Sequence, residues 1–493
     1  MRVGCSASAV VALVGFATLA SGQPAVVRVF AGMNGPNGST PQPSADMMGG
    51  VGPTHIVGFI NGGVSIRTKS DGREVRPLQT QQEFWARAFE NARRQLVGAP
   101  YDPRIFFDPL TGRWFATANA WGEGKGTNRT LIAVSADADP THTWKALDYL
   151  APAPLADNSK LGLDRNGFYT TPMVPAATSV ENTFRLSVVA VPKVDLLWKG
   201  DGGPSLAHQQ VFEIETVRLP DHKFRGEEGL FPAFDLDAKK KPNDPAVFVN
   251  RYRAEVDGET CIQIRKVTWT TPTAATLSDP ISVGLGTHYP VQPTTRGIQP
   301  ALPEGLYSPG LSTGEGRIVN AVVRHGSVWA IAATEIGNRV GAFWVQIDLS
   351  TMRLVQHGTL SDPEADVLFP SLNVDAQGNL GIAMTRTSAS QALSVYVTGR
   401  LRTDPPNTLR PLVKAVEGRY VFFNARTDLT KPGQTVPTSD YATTVVDPSD
   451  QTLFWSYQFA ATNDCLPKDT NTGKFGTAWV AFRVGPAPRG GGR

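Results

Sequence analysis

The chain predicts an all-β fold, a β-propeller of about seven blades, and three observations carry that expectation. An apolar strand, an aspartate, a short turn and a second apolar strand recur at 104–116, 160–170, 371–382 and 442–455, with Asp108, Asp164, Asp375 and Asp447 at the turns. A looser copy at 233–249 carries Asp237; the five aspartates lie 56, 73, 138 and 72 residues apart, and the long gap holds a degenerate strand-turn-strand copy at Arg317–Ala332. Second, 48 Gly and 38 Pro in 493 residues, with no long helical apolar stripe, favour short strands and tight turns. Third, one hairpin cannot bury its apolar face alone, whereas sheets repeated about an axis can. An Asp before a Gly- or Pro-containing turn accepts local backbone N–H bonds, so all five aspartates read first as turn-formers.

In chain order, residues 1–22 have the form of a secretory signal: Arg2, an apolar run from Ala9 to Ala20, then small residues before Gln23. A single propeller domain is expected over 23–487 and a disordered tail over 488–493. Val26–Phe30 reads as a short strand and Asn34–Gly50 as a loop. The first blade is expected from Val51 to a strand near Val75, and Thr80–Leu96 as a short helix covering one face, with Thr80 and Glu83 spaced as a capping box. Further blades fall near 100–152, 157–200, 228–285, 299–361, 366–416 and 438–485, giving seven, or six if the first sheet is partial. The last shows three strands, and Val26–Phe30 is expected to supply the fourth and close the ring.

Charge and cysteine content narrow the function. Loss of the leader removes Arg2 and leaves 46 basic against 44 acidic residues, a balance that does not support nucleic-acid binding. No segment reaches membrane-spanning length, so a secreted or periplasmic monomer is expected. Cys261 and Cys465 would meet an oxidising compartment and lie in different blades; with scattered histidines they make no zinc motif, and neither a metal nor a cofactor is expected. Asp235, Asp237, Asn243 and Asp244 are calcium-type oxygens without EF-hand spacing. Gly310–Gly314 spells a serine-hydrolase elbow but lacks the flanking strand and helix. Asn37 and Asn128 head glycosylation triplets.

The segment Ser135–Trp144, with Asp137, Asp139 and Thr143, resembles a stretched Asp-box, the turn found in sialidase-like propellers. Val51–Val57, Asp102–Trp114, Asp157–Gly162, Val397–Arg400, Ser439–Tyr441 and Val446–Pro448 resemble a group of secreted bacterial propellers related in fold to sialidases. The resemblance implies a sialidase-like architecture acting on carbohydrate or a glycoconjugate, and a glycoside hydrolase with a tyrosine–carboxylate pair as one form of it. The arginine motif of true sialidases is absent from the first blade; Arg104-Ile105-Phe106 is near in spelling but lies in the second.

Aligned on their turn aspartates, the blades place a polar residue at the entry of each innermost strand, where a propeller's channel opens. These residues are Asp102 with Arg104, Asp157 with Lys160, Glu228, Asp366, and Asp440 with Tyr441. Converging carboxylates suit glycoside hydrolysis, one as acid and another as base or nucleophile. Asp102, Asp157, Asp440 and Tyr441 are therefore the catalytic candidates, and Arg104, Lys160, Glu228, Asn250, Arg251 and Asp366 the substrate-binding ones, with arginines suited to a carboxylate or sulfate. The competing expectations are a non-catalytic extracellular glycan- or protein-binding propeller, and a ring of charges that only bridges blades.

Overall fold

The computed structural model describes residues 22–34, 44–122, 128–150, 157–173, 183–218, 224–225, 229–235, 237, 240–241, 243–252, 259–290, 296–313, 316–424, 427–462 and 476–486. The leader before residue 22, the tail, Asn37, Glu228 and Cys465 lie outside them, so the expected cleavage and the Cys261–Cys465 pairing do too.

Seven sheets follow one another around an axis, with innermost strands Met48–Val51, Ala99–Asp108, Asp157–Leu163, Phe231–Pro232, Ile318–Arg324, Asp366–Val374 and Thr443–Val446. Each innermost strand packs against the next and the last packs against the first, which makes the ring a closed β-propeller. Blades are antiparallel meanders; in the second, Ala99–Asp108, Arg113–Trp121, Arg129–Ser135 and Trp144–Leu150 pair in order. The seventh borrows its outer strand from the chain's beginning, Ala25–Asn34 running antiparallel to Gly476–Arg483 with Phe30 opposite Trp479. Closure by the N-terminal strand is as the sequence led one to expect.

The first blade starts at Met48, three residues earlier than its apolar pattern indicated. Bridges from Arg67 to Glu74 and from Val64 to Gln79 extend its three-stranded sheet, so it is a full unit and the count is seven. The expected helix is present at Gln81–Asn91, and Thr80 and Glu83 form the reciprocal capping box. It buries Phe84, Trp85, Ala88 and Phe89. Rather than covering an end of the ring, it stands between blades one and two: Gln81 donates to the Ile60 carbonyl (3.0 Å) and Asn91 to that of Trp144 (3.0 Å).

The turn aspartates act as turn-formers. Asp108 accepts from the Leu110 amide (2.9 Å), Asp164 from those of Asn166 and Gly167 (2.8 and 2.7 Å), Asp375 from Gln377 and Asn379 (both 2.8 Å), and Asp447 from Ser449 (2.8 Å) and the Trp455 indole (2.9 Å). The degenerate copy turns on His325 and Gly326, both at positive φ (51° and 74°). A two-residue hairpin of that kind closes without a carboxylate. In the looser copy the acidic oxygens surround an ammonium: Lys240 Nζ lies 2.7 Å from Asp235 and 3.1 Å from Asp164. Gly310–Leu311 pairs in parallel with Thr435–Val436, as a loop-borne bridge and not an elbow. Asn128 is buried and donates to the Tyr101 hydroxyl (3.3 Å), which removes it as a glycosylation acceptor in the folded chain.

Some turn carboxylates also fasten neighbouring blades. Lys193, at the end of the third blade's Thr183–Pro192 strand, reaches Asp108 of the second at 2.8 Å, with side chains 3% and 0% exposed. Removing one partner of so buried a pair leaves an uncompensated charge, at about 3–5 kcal/mol. Lys193→Met is accordingly expected to lower the unfolding free energy by about that much, read as a fall in the urea midpoint at unchanged slope, and an unchanged midpoint would show the pair to be dispensable.

Candidate functional site

All innermost strands run the same way, so their entries share one mouth of the channel and the turn aspartates the other. At the entries of blades one, two and three the backbone takes an uncommon shape. Asp46, Asp102 and Asn158 have φ of 39°, 51° and 43°. Asp and Asn tolerate this left-handed region better than other residues with a side chain. At Asp102 the ladder to the next strand also slips, with register shifting between Tyr101 and Arg104. Bulges of this kind re-aim side chains, and here they turn polar groups toward one another.

The result is a hydrogen-bonded chain across four blades. The Asp440 amide donates to Asp46 (2.8 Å), as does the Ser44 hydroxyl (2.6 Å); the Asn61 amide group donates to the other Asp46 oxygen (2.6 Å). Asn61 in turn accepts from the Asp102 amide (2.8 Å), and the Asp102 carboxylate accepts from the Asn158 amide (2.9 Å). Asp102 interacts with Asp46 as well and lowers its proton affinity slightly. Burial, followed by the neighbouring Asp440 charge, pushes the Asp46 carboxyl from 3.8 up to about 7. A carboxyl raised this far is in good part protonated near neutrality.

Arg104 balances the acids. Its Nε donates to the Ser159 carbonyl (2.9 Å) and Nη2 to Asn158 Oδ1 (2.7 Å), while its guanidinium carbon sits 3.8 Å from the centre of the Tyr441 ring. Burial pushes its proton affinity down, against the raising effect of Tyr441, Asp102, Asp46 and Asp440. The Tyr441 hydroxyl donates to the Pro103 carbonyl (3.0 Å), and burial raises the phenol well above its ordinary value. Lys160 reaches the Asn158 carbonyl (3.2 Å). Arg104, Asn158, Lys160, Arg317, Asp440 and Tyr441 line a cavity of about 20 Å³, room for about one water. Beside Asp102, Trp121 is 52% exposed and stacks on Tyr101 (4.9 Å, 16°), presenting an aromatic face.

Of the residues chosen from sequence, Asp102, Arg104, Lys160, Asp440 and Tyr441 thus meet. Asp157 opens the third blade's innermost strand beside Asn158, its side chain being outside the described residues, as is all of Glu228. Arg251 goes elsewhere: it donates to the carbonyls of Gly316 (2.9 Å), Ala333 (3.3 Å) and Tyr289, tying blade four to blade five. Asp366 accepts from the amides of Ile298 (2.9 Å) and Val340 (3.0 Å) and faces Arg339 at 3.5 Å. Asn250 is fully buried, with neither amide atom partnered among the described residues. Sequence reasoning missed Asp46, Asn61, Asn158 and Arg317. Asp46 precedes Met48 as Asp440 precedes Thr443, a match visible once the first blade is started at Met48. Among the described residues no group of three or more His, Cys, Asp or Glu is placed to hold a metal, and no helix is long and apolar enough to cross a membrane.

In the Ser135–Trp144 hairpin, Asp139 accepts from the Thr141 amide (2.9 Å), and the Trp144 indole donates to the Pro140 carbonyl (2.9 Å) while its ring meets Phe84 edge-on.

No protein-family profile and no curated protein matches the chain. Among solved structures it is similar to the Dos1 propeller, with a TM-score of 0.37 and 7% identity over 90% of this chain and 94% of that one. It is also similar to the Trypanosoma rangeli sialidase in complex with 2,3-difluorosialic acid (0.32, 10%, covering 86% and 57%) and to the Penicillium chrysogenum α-L-arabinanase complexed with arabinobiose (0.30, 10%, covering 78% and 94%). Similarity at this level assigns no chemistry, and the fold class rests on the sheet topology of the chain itself.

Proposed function

We propose that the protein is exported by its leader and acts on carbohydrate at the mouth formed by blades seven, one, two and three, as a glycoside hydrolase. The observation that carries this reading is the buried Asp46 carboxyl, raised to about 7, with Asp102 and Asp440 around it and Arg104 and Lys160 within the same cluster. A carboxyl kept protonated near neutrality can give its proton to a glycosidic oxygen as the bond breaks, while an ionised neighbour stabilises the developing positive charge or attacks it. Asp46 holds the proton beside Asp102; Asp102 or Asp157 serves as acid/base toward the substrate and Asp440 as the second carboxylate. Lys160 and Arg104 receive an anionic substituent, and the Trp121 face stacks on a sugar ring. Tyr441, bonded to Pro103 and carrying Arg104 on its ring, supports the site in this arrangement; to act as nucleophile its phenol would have to leave Pro103.

A second reading, a non-catalytic glycan-binding propeller, is favoured by one specific observation: the carboxylates bridge blades around a cavity that holds about one water. A panel of aryl glycosides and a glycan array, run on the same purified protein, separates the two. For the hydrolase, Asp102→Asn and Asp440→Asn each reduce kcat/KM at least 100-fold while the fold persists. Glycan binding without turnover, unchanged by Asp440→Asn, would leave only the binder.

The pH profile gives an independent check. The acid form of Asp46 is lost as pH rises through about 7, so activity should fall on that side. Asp440 helps raise Asp46, so in Asp440→Glu, which keeps the charge at an altered distance, the residual activity should retain a basic limb, whereas Asp440→Asn should shift it to lower pH. A limb indifferent to the charge at 440 would detach Asp46 from catalysis.

A further inference from the structure

On the face of the ring opposite the mouth, a cleft of about 360 Å³ opens between blades five and six. Three arginines line it: Arg324, where blade five's innermost strand ends, and Arg400 and Arg402, where the third strand of blade six ends. Trp329, Val355 and Pro406 supply apolar wall, and Val355 is 50% exposed. The volume lies near the small end of ligand pockets and suits one ring-sized molecule.

The charges are only partly balanced within the protein: Asp404, itself on the cleft wall, acts electrostatically on Arg400, and Asp375 feels Arg324, but neither forms an ion pair with these arginines among the described residues. Arg400 is 3% exposed, yet its hydrogen bonds run from Nη2 to the carbonyls of Asp404 (2.5 Å) and Pro405 (3.2 Å), and its Nε has no partner among the described residues. Arg324 donates from Nη2 to Gln451 (2.9 Å), and its buried Nε is likewise unpartnered. Arg402 is exposed. The carboxylates nearby are already engaged. Asp404 is gripped by Arg410 through two bonds of 2.7 and 3.0 Å, and Asp375 holds its own turn through Gln377 and Asn379. Among the described residues, none of the three cleft guanidiniums has an acidic group within ion-pair distance. His325, also on the wall, lies 3.3 Å from the Asp375 carbonyl and brings no negative charge.

A guanidinium drawn out of water with only a shared, unpaired counter-charge is costly, and a planar carboxylate is the anion whose geometry its fork fits best. The apolar wall favours a body that gains by leaving water. We propose that the cleft between blades five and six binds a small organic carboxylate, its carboxylate on the arginines and its ring against Trp329, Val355 and Pro406. The site stands on other blades and the other face from the proposed catalytic mouth, so it does not depend on that reading.

Benzoate is the probe, titrated calorimetrically, with benzamide as the uncharged isostere and sulfate as the inorganic anion. Benzoate should bind with about one equivalent, and benzamide and sulfate at least 10-fold more weakly. Arg402→Gln, at an exposed position, should weaken benzoate at least 10-fold, and Val355→Trp should block it by filling the cleft while leaving every charge in place. No benzoate binding to the unaltered protein, equal binding to both variants, or equal affinity for sulfate would each overturn the proposal.

Discussion

A chain lacking residues 25–34 is expected to lose cooperative unfolding and to aggregate. The strand does two jobs at once. It pairs with Gly476–Arg483 through seven registered positions, and it places Phe30 beside Trp455 (5.9 Å) and Met33 in the core. It also grips blade one: Arg28 donates to the carbonyls of Lys69 (3.2 Å) and Ser70 (2.9 Å), and Arg67 reaches back to Gly32 (3.5 Å). Gly32 has no alternative, because a Cβ there would lie 2.3 Å from the Thr477 hydroxyl. Burial of Phe30 and Met33 contributes about 1.5–3 kcal/mol each, and each ladder hydrogen bond about 1 kcal/mol. Their sum approaches the whole stability of a typical domain, about 5–15 kcal/mol. Without the strand, the buried and apolar Gly476–Arg483 becomes a bare sheet edge, a template for intermolecular pairing. Thermal unfolding followed by circular dichroism, with light scattering, reads both effects, and a peptide of residues 22–34 added in trans should restore part of the transition. A truncated chain that melts like the intact one would show that the ring is held shut by something else.

The same closure explains why the fold could be read in the sequence. Turn aspartates such as Asp108 and Asp447 mark the far end of each innermost strand because local amides need an acceptor there, and that need is met within a few residues of chain. The capping box at Thr80 and Glu83 is equally local. Position within the mouth is not. Asp102 and Asp440 were recoverable because they sit six and seven residues ahead of their turn aspartates, at the entry of their strands. Asn61 and Asn158 were not, since their contacts depend on left-handed backbone at Asp46, Asp102 and Asn158 and on a slipped ladder that no spelling announces. Asp366 at the entry of blade six and Arg251 on the second strand of blade four carry the right chemistry, yet the partners that capture them, the Val340 amide and the Tyr289 carbonyl, come from neighbouring segments of the fold. Entry residues therefore divide into those that face the mouth and those that lock blades, and only packing decides which.

Asp46→Asn is expected to flatten the pH dependence of stability. The folded state holds the Asp46 carboxyl at about 7 against 3.8 for the free group, because the site is buried and Asp440 is close. Between those two values the folded chain binds more protons than the unfolded one, so this group's contribution to stability falls as pH rises through the window and levels off above about 7. Three units correspond to at most about 4 kcal/mol. Asparagine cannot ionise, so relative to the unaltered protein the variant should gain stability on going from pH 4 to pH 8, by about 2–4 kcal/mol. Its absolute stability is a separate matter, since its Nδ2 would face the donating Asn61 amide and exchange one acceptor contact for a repulsion. Urea midpoints of both proteins at four pH values isolate the slope from that offset. Parallel curves would mean that Asp46 is ionised at neutral pH in the folded chain, and the proton on which the proposed acid catalysis rests would not be there.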